Sequence, residues 1–226
     1  MQLDDLWVII AAYNEADAIG PVVAGLRNAG ARVVVVDDGS LDQTARVALR
    51  SGAIVLPHPV NLGQGAALAT GIQFALESGA RYLATFDADG QHRAEDLVCL
   101  YALLREGKAD VVIGSRFLGS GADMPAARRL LLRGAVAFTR LTTGLRLTDA
   151  HNGLRVMTAG AAAQIRITQN GMAHASEILE EIARRRLRVL EAPITVLYTE
   201  YSLAKGQRSL NAVNILLDLL TGRLQR

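Results

Sequence analysis

The residues best placed to do chemistry in this chain are Asp87 and Asp89, set one residue apart in Thr85-Phe86-Asp87-Ala88-Asp89-Gly90-Gln91-His92. An apolar run, Tyr82-Leu83-Ala84-Thr85-Phe86, leads straight into them. Such a run reads as a buried parallel strand. Side chains i and i+2 lie on one side of an extended chain, so both carboxylates can converge at the strand's carboxyl end. Adjacent carboxylates repel unless a cation sits between them. Oxygen ligands of this kind suit Mg²⁺ or Mn²⁺, which keep waters and add phosphate oxygens. Gln91 offers one more neutral oxygen. The stretch reads as a metal clamp for a diphosphate. The plainer alternative is an ordinary polar exit from a strand.

The elements that must position this pair alternate between strand-like and helix-like, which predicts an α/β fold, a mostly parallel central sheet flanked by helices. Trp7-Val8-Ile9-Ile10-Ala11 is a first strand, followed by a helix over about 16–28. Arg32-Val33-Val34-Val35-Val36 is a second, and a helix starts near Asp42 with Ser40 or Asp42 as its N-cap. Ile54-Val55-Leu56 is a short third strand. After the acidic pair come a helix over about 95–105, a buried strand Asp110-Val111-Val112-Ile113-Gly114, a helix over 126–141 and a strand Leu154-Arg155-Val156-Met157. A helix over 176–186, an extended segment over 189–194 and a strand over 195–201 complete the pattern. His174 and Glu177 read as caps of the 176–186 helix.

In open α/β sheets ligands bind beyond the carboxyl ends of the strands. Every such end here is polar: Tyr13-Asn14-Glu15, Asp37-Asp38-Gly39, Asp87-Ala88-Asp89 and Ser115-Arg116. Asp37 or Asp38 can accept from a base N–H or a ribose hydroxyl; Asp38-Gly39-Ser40 also suits a turn before a helix cap. Asn61-Leu62-Gly63-Gln64-Gly65 opens a helix, where phosphate can bind. Close helix packing explains its glycines equally well.

Composition excludes several classes. The chain has 226 residues, half of them hydrophobic, enough for one large domain. Lys plus Arg is 24 against 22 acidic residues, a net charge of +2, which is no nucleic-acid signature. One cysteine, Cys99, rules out a disulfide framework or a thiolate metal site. The opening Met1-Gln2-Leu3-Asp4-Asp5 lacks the basic-then-apolar order of a signal peptide. No apolar run approaches the roughly 20 residues that span a bilayer. The expectation is a cytoplasmic protein, soluble or peripheral on the membrane's cytoplasmic face.

Four motifs in order carry a family resemblance. Ala11-Ala12-Tyr13-Asn14-Glu15, Val36-Asp37-Asp38-Gly39-Ser40-Leu41-Asp42-Gln43-Thr44, Asn61-Leu62-Gly63-Gln64-Gly65 and Asp87-Ala88-Asp89-Gly90-Gln91-His92 resemble family 2 glycosyltransferases in order and spacing. The likeness covers about residues 6–200 and is greatest to the polyprenyl-phosphate sugar transferases, such as dolichol-phosphate mannosyltransferase. It implies the GT-A fold. It implies that Ala12, Tyr13, Glu15, Asp37, Asp38, Gly63, Asp87 and Ala88 hold a nucleotide-sugar, and that Asp87, Asp89 and Gln91 surround Mg²⁺ or Mn²⁺. It assigns catalytic roles to Asp89, to Arg116 in Gly114-Ser115-Arg116, to Arg128 ahead of Leu132-Arg133-Gly134-Ala135, and to Asp149 ahead of Asn152-Gly153-Leu154-Arg155. Lys205, in Tyr201-Ser202-Leu203-Ala204-Lys205-Gly206-Gln207, stands where the family carries a cation over the diphosphate.

The resemblance implies one glycosyltransferase domain over 1–226: a nucleotide-sugar and metal half over 1–116, an acceptor half over 117–208 and an amphipathic helix over 209–226. That helix can lie on a bilayer, bind a small membrane-protein subunit or pack on the core. Arg184-Arg185-Arg186 and Arg188 form a solvated helix face or meet anionic headgroups. The expected reaction is inverting transfer of a sugar from a UDP- or GDP-sugar donor to a polyprenyl-phosphate acceptor. An ionised lipid phosphate needs no general base; a hydroxyl acceptor does, and Asp149 or His151 can supply one. Transfer to a hydroxyl of a glycan or soluble acceptor is one alternative, and a non-catalytic nucleotide-sugar-binding module another. A phospho-receiver domain fails on length and on the second acidic pair.

Overall fold

The computed structural model describes residues 2–119, 126–150 and 152–197, with side chains over 2–119, 133–150 and 152–197. The elements are β1 (Leu6–Ala12), α1 (Ala16–Asn28), β2 (Arg32–Asp37), α2 (Thr44–Arg50), β3 (Ile54–Pro57), α3 (Gln64–Glu77) and β4 (Tyr82–Thr85). Then come α4 (Ala94–Arg105), β5 (Val111–Ser115), α5 (Ala126–Thr143), β6 (Arg155–Thr158), α6 (Ala159–Ala162), α7 (His174–Arg184) and β7 (Val189–Pro193). All seven strands join one sheet in the order β3-β2-β1-β4-β6-β5-β7.

Alternation along β1 divides the core. Val8 and Ile10 turn to the face covered by α1, α2 and α4, with Val23, Leu26, Leu97 and Leu100. Trp7 and Ile9 turn to the face covered by α3, α6 and α7, with Leu68, Ala161 and Ile178. Both faces are covered, which is why the strands read as unbroken apolar runs. At Gly71 a Cβ would come within 2.4 Å of the Ile9 side chain, so its absence lets α3 approach β1 closely.

The sheet is parallel except at β6, which runs antiparallel between β4 and β5. This strand carries Arg155 opposite Thr85 and Ile113. It therefore places the chain around residue 153 beside the acidic pair.

Two local expectations are corrected. Neither Ser40 nor Asp42 is the N-cap of α2; the cap position is Gln43, with no side-chain cap bond. Ser40 Oγ instead accepts from Asn14 N, and Asp42 accepts from Ala16 N and Thr44 N, so the strand-end loops after β1 and β2 are tied together. The strand expected over 195–201 is, where described, only a single antiparallel bridge between Val196 and His92. The 209–226 helix, Lys205 and His151 lie outside the described residues. Among the described residues no helix is long and apolar enough to cross a membrane.

Candidate active site

The acidic pair follows directly on β4. Phe86 N donates to Ile9 O, prolonging the sheet contact, and the Phe86 ring meets His92 edge-on at 5.6 Å between centroids. The next residue, Asp87, is held from two sides. His92 Nε2 lies 3.0 Å from Asp87 Oδ2. On the other side is Gly153, where a Cβ would stand 2.3 Å from each Asp87 carboxylate oxygen. The Thr85 hydroxyl donates to Gly153 O at 2.6 Å, fastening that backbone to β4.

The two carboxylates have opposite electrostatic fates. Burial pushes the Asp87 carboxyl up, but the His92 hydrogen bond and charge, with Arg155 and His174, outweigh it and hold the pKa below its ordinary value. Burial and then the neighbouring Asp87 charge push Asp89 above its ordinary value, against the opposing hydrogen bond from Gln91 N. Two like charges forced together divide in this way when no cation lies between them. Arg155 is 1% exposed, and its Nε has no hydrogen-bond partner among the described residues. Burial lowers its pKa, while the charges of Asp87 and Asp149 raise it. A guanidinium nevertheless stays charged, so a fixed cation lies near Asp87 and Asp149.

A cavity of about 430 Å³ opens beside the pair. Asp87, Ala88 and Asp89 line one side; Ala12, Tyr13 and Glu15, from the end of β1, line another. Asp38, Gly63 and Met172 also reach it. The Asp38 carboxylate accepts from Leu62 N and Gly63 N and pairs with His58 Nδ1 at 2.8 Å, and His58 Nε2 meets the Thr70 hydroxyl. Asp38 thus shapes the 61–64 loop as well as lining the cavity. The backbone donors at the start of α3 are largely spoken for: Gly63 N by Asp38, Gly65 N by Asn170 O. Close packing accounts for these glycines, since a Cβ on Gly65 would stand 2.0 Å from Gln169 O.

Beyond β5, Arg116 and Asp149 form a bidentate ion pair. Arg116 Nε lies 2.6 Å from Asp149 Oδ2, and a terminal nitrogen lies 2.8 Å from Oδ1. Arg116 N also donates to Oδ2. Glu191 on β7 accepts from Thr148 N and Asp149 N, fixing the turn that carries Asp149. A carboxylate engaged on both oxygens by a guanidinium is a poor proton acceptor. Both Asp149 carboxylate oxygens are thus engaged by Arg116.

Of the expected residues, Ala12, Tyr13, Glu15, Asp38, Gly63, Asp87, Ala88 and Asp89 meet around the cavity. Asp37, Gln91, Arg116 and Asp149 do not line it. Asp37 Oδ1 accepts from Ser40 N, and Gln91 N donates to Asp89 Oδ1. The Arg128 side chain and Lys205 lie outside the described residues. Glu177 and His174 bind the preceding loop rather than a bare helix end: Glu177 accepts from Thr168 N and Gln169 N, and His174 Nδ1 meets Gly171 O. Sequence reasoning missed the seating of Asp87 on Gly153 and the arrival of Met172. Gly65 was the available signal for the close approach of the 169–174 segment, because a glycine in the first turn of a helix invites a close neighbour.

The family model "Glycosyl transferase family 2" matches residues 7–166. The chain belongs to glycosyl transferase family 2. This family 2 glycosyltransferase is 30% identical, over 95% of its length and 94% of the relative's, to the UDP-N-acetylglucosamine–dolichyl-phosphate N-acetylglucosaminyltransferase of Methanococcus voltae. It is 32% identical to the undecaprenyl-phosphate mannosyltransferase of Micrococcus luteus, over 87% of this chain and 85% of that one. Its fold matches glucosyl-3-phosphoglycerate synthase of Mycobacterium tuberculosis, solved with Mn²⁺, uridine diphosphate and product. That match has a TM-score of 0.73 at 18% identity, over 96% of this chain and 78% of that one. It shows the GT-A-like fold.

The acidic pair fits a divalent cation. Among the described residues no cluster of three or more His, Cys, Asp or Glu forms a ready-made cage. Mg²⁺ and Mn²⁺ do not need one: one or two carboxylates plus substrate phosphates and water are their usual set. Burial and then the adjacent Asp87 charge raise the proton affinity of Asp89, a repulsion that a bound cation would relieve.

Proposed function

We propose that this glycosyltransferase moves a sugar, with inversion, from a nucleoside diphosphate sugar to a polyprenyl phosphate. The cavity takes the donor, its diphosphate toward Asp87 and Asp89. Those two residues, with Gln91 adjoining, would hold Mg²⁺ or Mn²⁺, which when bound neutralises charge on the departing diphosphate. His92 and Gly153 keep the Asp87 carboxylate oriented. Tyr13, Glu15 and Asp38 surround the nucleoside, with Asp37 behind them. Arg116, fixed by Asp149, and Arg128 and Lys205 supply cations for acceptor or donor phosphate.

One observation favours a phosphate acceptor over a hydroxyl. Of the two groups expected as general base, Asp149 is bound on both oxygens by Arg116, and His151 lies outside the described residues. A sugar hydroxyl needs its proton removed. A lipid phosphate is ionised at neutral pH, its second pKa being about 6, and attacks without help. Relatives named for dolichyl and undecaprenyl phosphate support the same acceptor. Such an acceptor brings the reaction to a membrane surface, on the cytoplasmic side where nucleotide-sugars are made.

The test uses radiolabelled UDP- and GDP-sugars with a detergent-dispersed polyprenyl phosphate. Label should enter the organic phase with Mg²⁺ or Mn²⁺ and not with EDTA. Label transferred only to water-soluble acceptors overturns the lipid reading.

A further inference from the structure

Among the described residues, Met172 alone brings the chain beyond residue 116 to the cavity wall. It stands at the end of a short strap, residues 168–172, fastened at several points. The Glu177 carboxylate, 5% exposed, accepts from Thr168 N at 2.8 Å, from Gln169 N at 2.9 Å and from the Thr168 hydroxyl. Asn170 O accepts from Gly65 N at 2.7 Å. His174 Nδ1 lies 2.8 Å from Gly171 O. No side chain can intervene between strap and helix: a Cβ on Gly63 would stand 2.3 Å from Asn170 O.

The strap so fastened presents Met172, 49% exposed, to the cavity. If the diphosphate lies at Asp87 and Asp89, the nucleoside extends over Tyr13 and Asp38, toward the end of β1. The sugar lies past the diphosphate, toward the chain's second half. Met172 is the described residue of that half that lines the cavity. A thioether offers a polarisable apolar contact and almost no hydrogen-bonding power. It favours a methyl group and gives nothing to a hydroxyl.

We propose that Met172, presented by the Glu177-clamped strap, is a specificity-determining residue that reads the transferred sugar and favours donors whose sugar bears a methyl-containing substituent, such as an N-acetyl group, over the unsubstituted hexose. This rests on the donor reading above. The test uses the full chain with Mn²⁺. Calorimetry with UDP and GDP comes first and identifies the base; absence of binding by either diphosphate sinks the donor reading, and this one with it, before any variant is made. On the base that binds, kcat/KM is then compared for an N-acetylhexosamine donor and a hexose donor. Wild type should prefer the acetylated donor about tenfold or more, the scale of one apolar group in a pocket. Met172→Ala should bring the ratio to within about threefold of unity, and Met172→Leu should keep most of it. Affinity for the bare diphosphate should change less than about twofold in either variant. No preference in wild type, an unchanged ratio in Met172→Ala, or an equal loss of bare diphosphate binding overturns the proposal.

Discussion

The carboxylate of Asp87 rests against the α-carbon of Gly153, at a spot where any side chain would stand 2.3 Å from both of its oxygens. Gly153→Ala must therefore push Asp87 out of place. A misplacement of about 1 Å in a reacting constellation costs about 100-fold in rate. We expect a loss of that size in kcat/KM together with weaker Mn²⁺ binding by calorimetry. Full Mn²⁺ affinity in Gly153→Ala would show that Asp87 is not a ligand.

Asp89→Ala should remove metal-dependent nucleotide binding. Thermal denaturation with Mn²⁺ and the matching nucleoside diphosphate at 100 times its dissociation constant should stabilise wild type by about 2.7 kcal/mol. The variant should gain almost nothing, and EDTA should erase the wild-type gain. Equal stabilisation of both proteins would detach the acidic pair from donor binding.

Asp149→Ala leaves the Arg116 guanidinium, whose side chain is only 15% exposed, without its bidentate partner. Breaking a buried pair on one side costs about 3–5 kcal/mol. Replacing both members with Arg116→Met and Asp149→Leu should return stability to within about 2 kcal/mol of wild type. Activity should stay lost in both. If Asp149→Ala instead lost activity at full stability, in urea denaturation, a direct role in proton transfer would be favoured.

Alkaline stability should report on Tyr101. Burial, then its hydrogen bond to Asp5, push this phenol up to about 12, against about 10 in an unfolded chain. The folded state therefore holds the phenolic proton more tightly. The resulting stabilisation is complete below about pH 10 and is lost as pH rises toward 12. Wild type should lose stability over that interval more steeply than Tyr101→Phe. Parallel slopes from pH 9 to 12 would refute it.

Much of the fold was legible because the signals were local. Unbroken apolar runs such as Val33-Val34-Val35-Val36 announce strands buried on both faces, and polar residues at the carboxyl ends of three of the strands line the cavity. The one-residue spacing of Asp87 and Asp89 marked them as a candidate pair beside the plainer reading of a polar strand exit. What stayed hidden depends on partners distant in the chain. Nothing near Arg155 says that its strand runs antiparallel between β4 and β5. That Asp38 also holds the loop after β3 shows only once Leu62, Gly63 and His58 are brought to it by folding. Nothing near Asp149 says that Arg116, 33 residues earlier, closes on its carboxylate. Asp42 has the right type for a helix cap, but the neighbouring loop claims it through Ala16 N.

The placement of β6 has one more outcome. The two halves of this chain are woven rather than joined end to end, because the residues leading into a late strand supply the bed on which the early Asp87 carboxylate lies. Residues 1–116 hold the acidic pair and nearly all of the cavity's lining, yet on their own they would lack both Gly153 and the Arg155 charge. Donor chemistry in this enzyme cannot be cut out and grafted as a self-sufficient module, and exchange of acceptor segments among relatives must carry residues 152–158 unchanged.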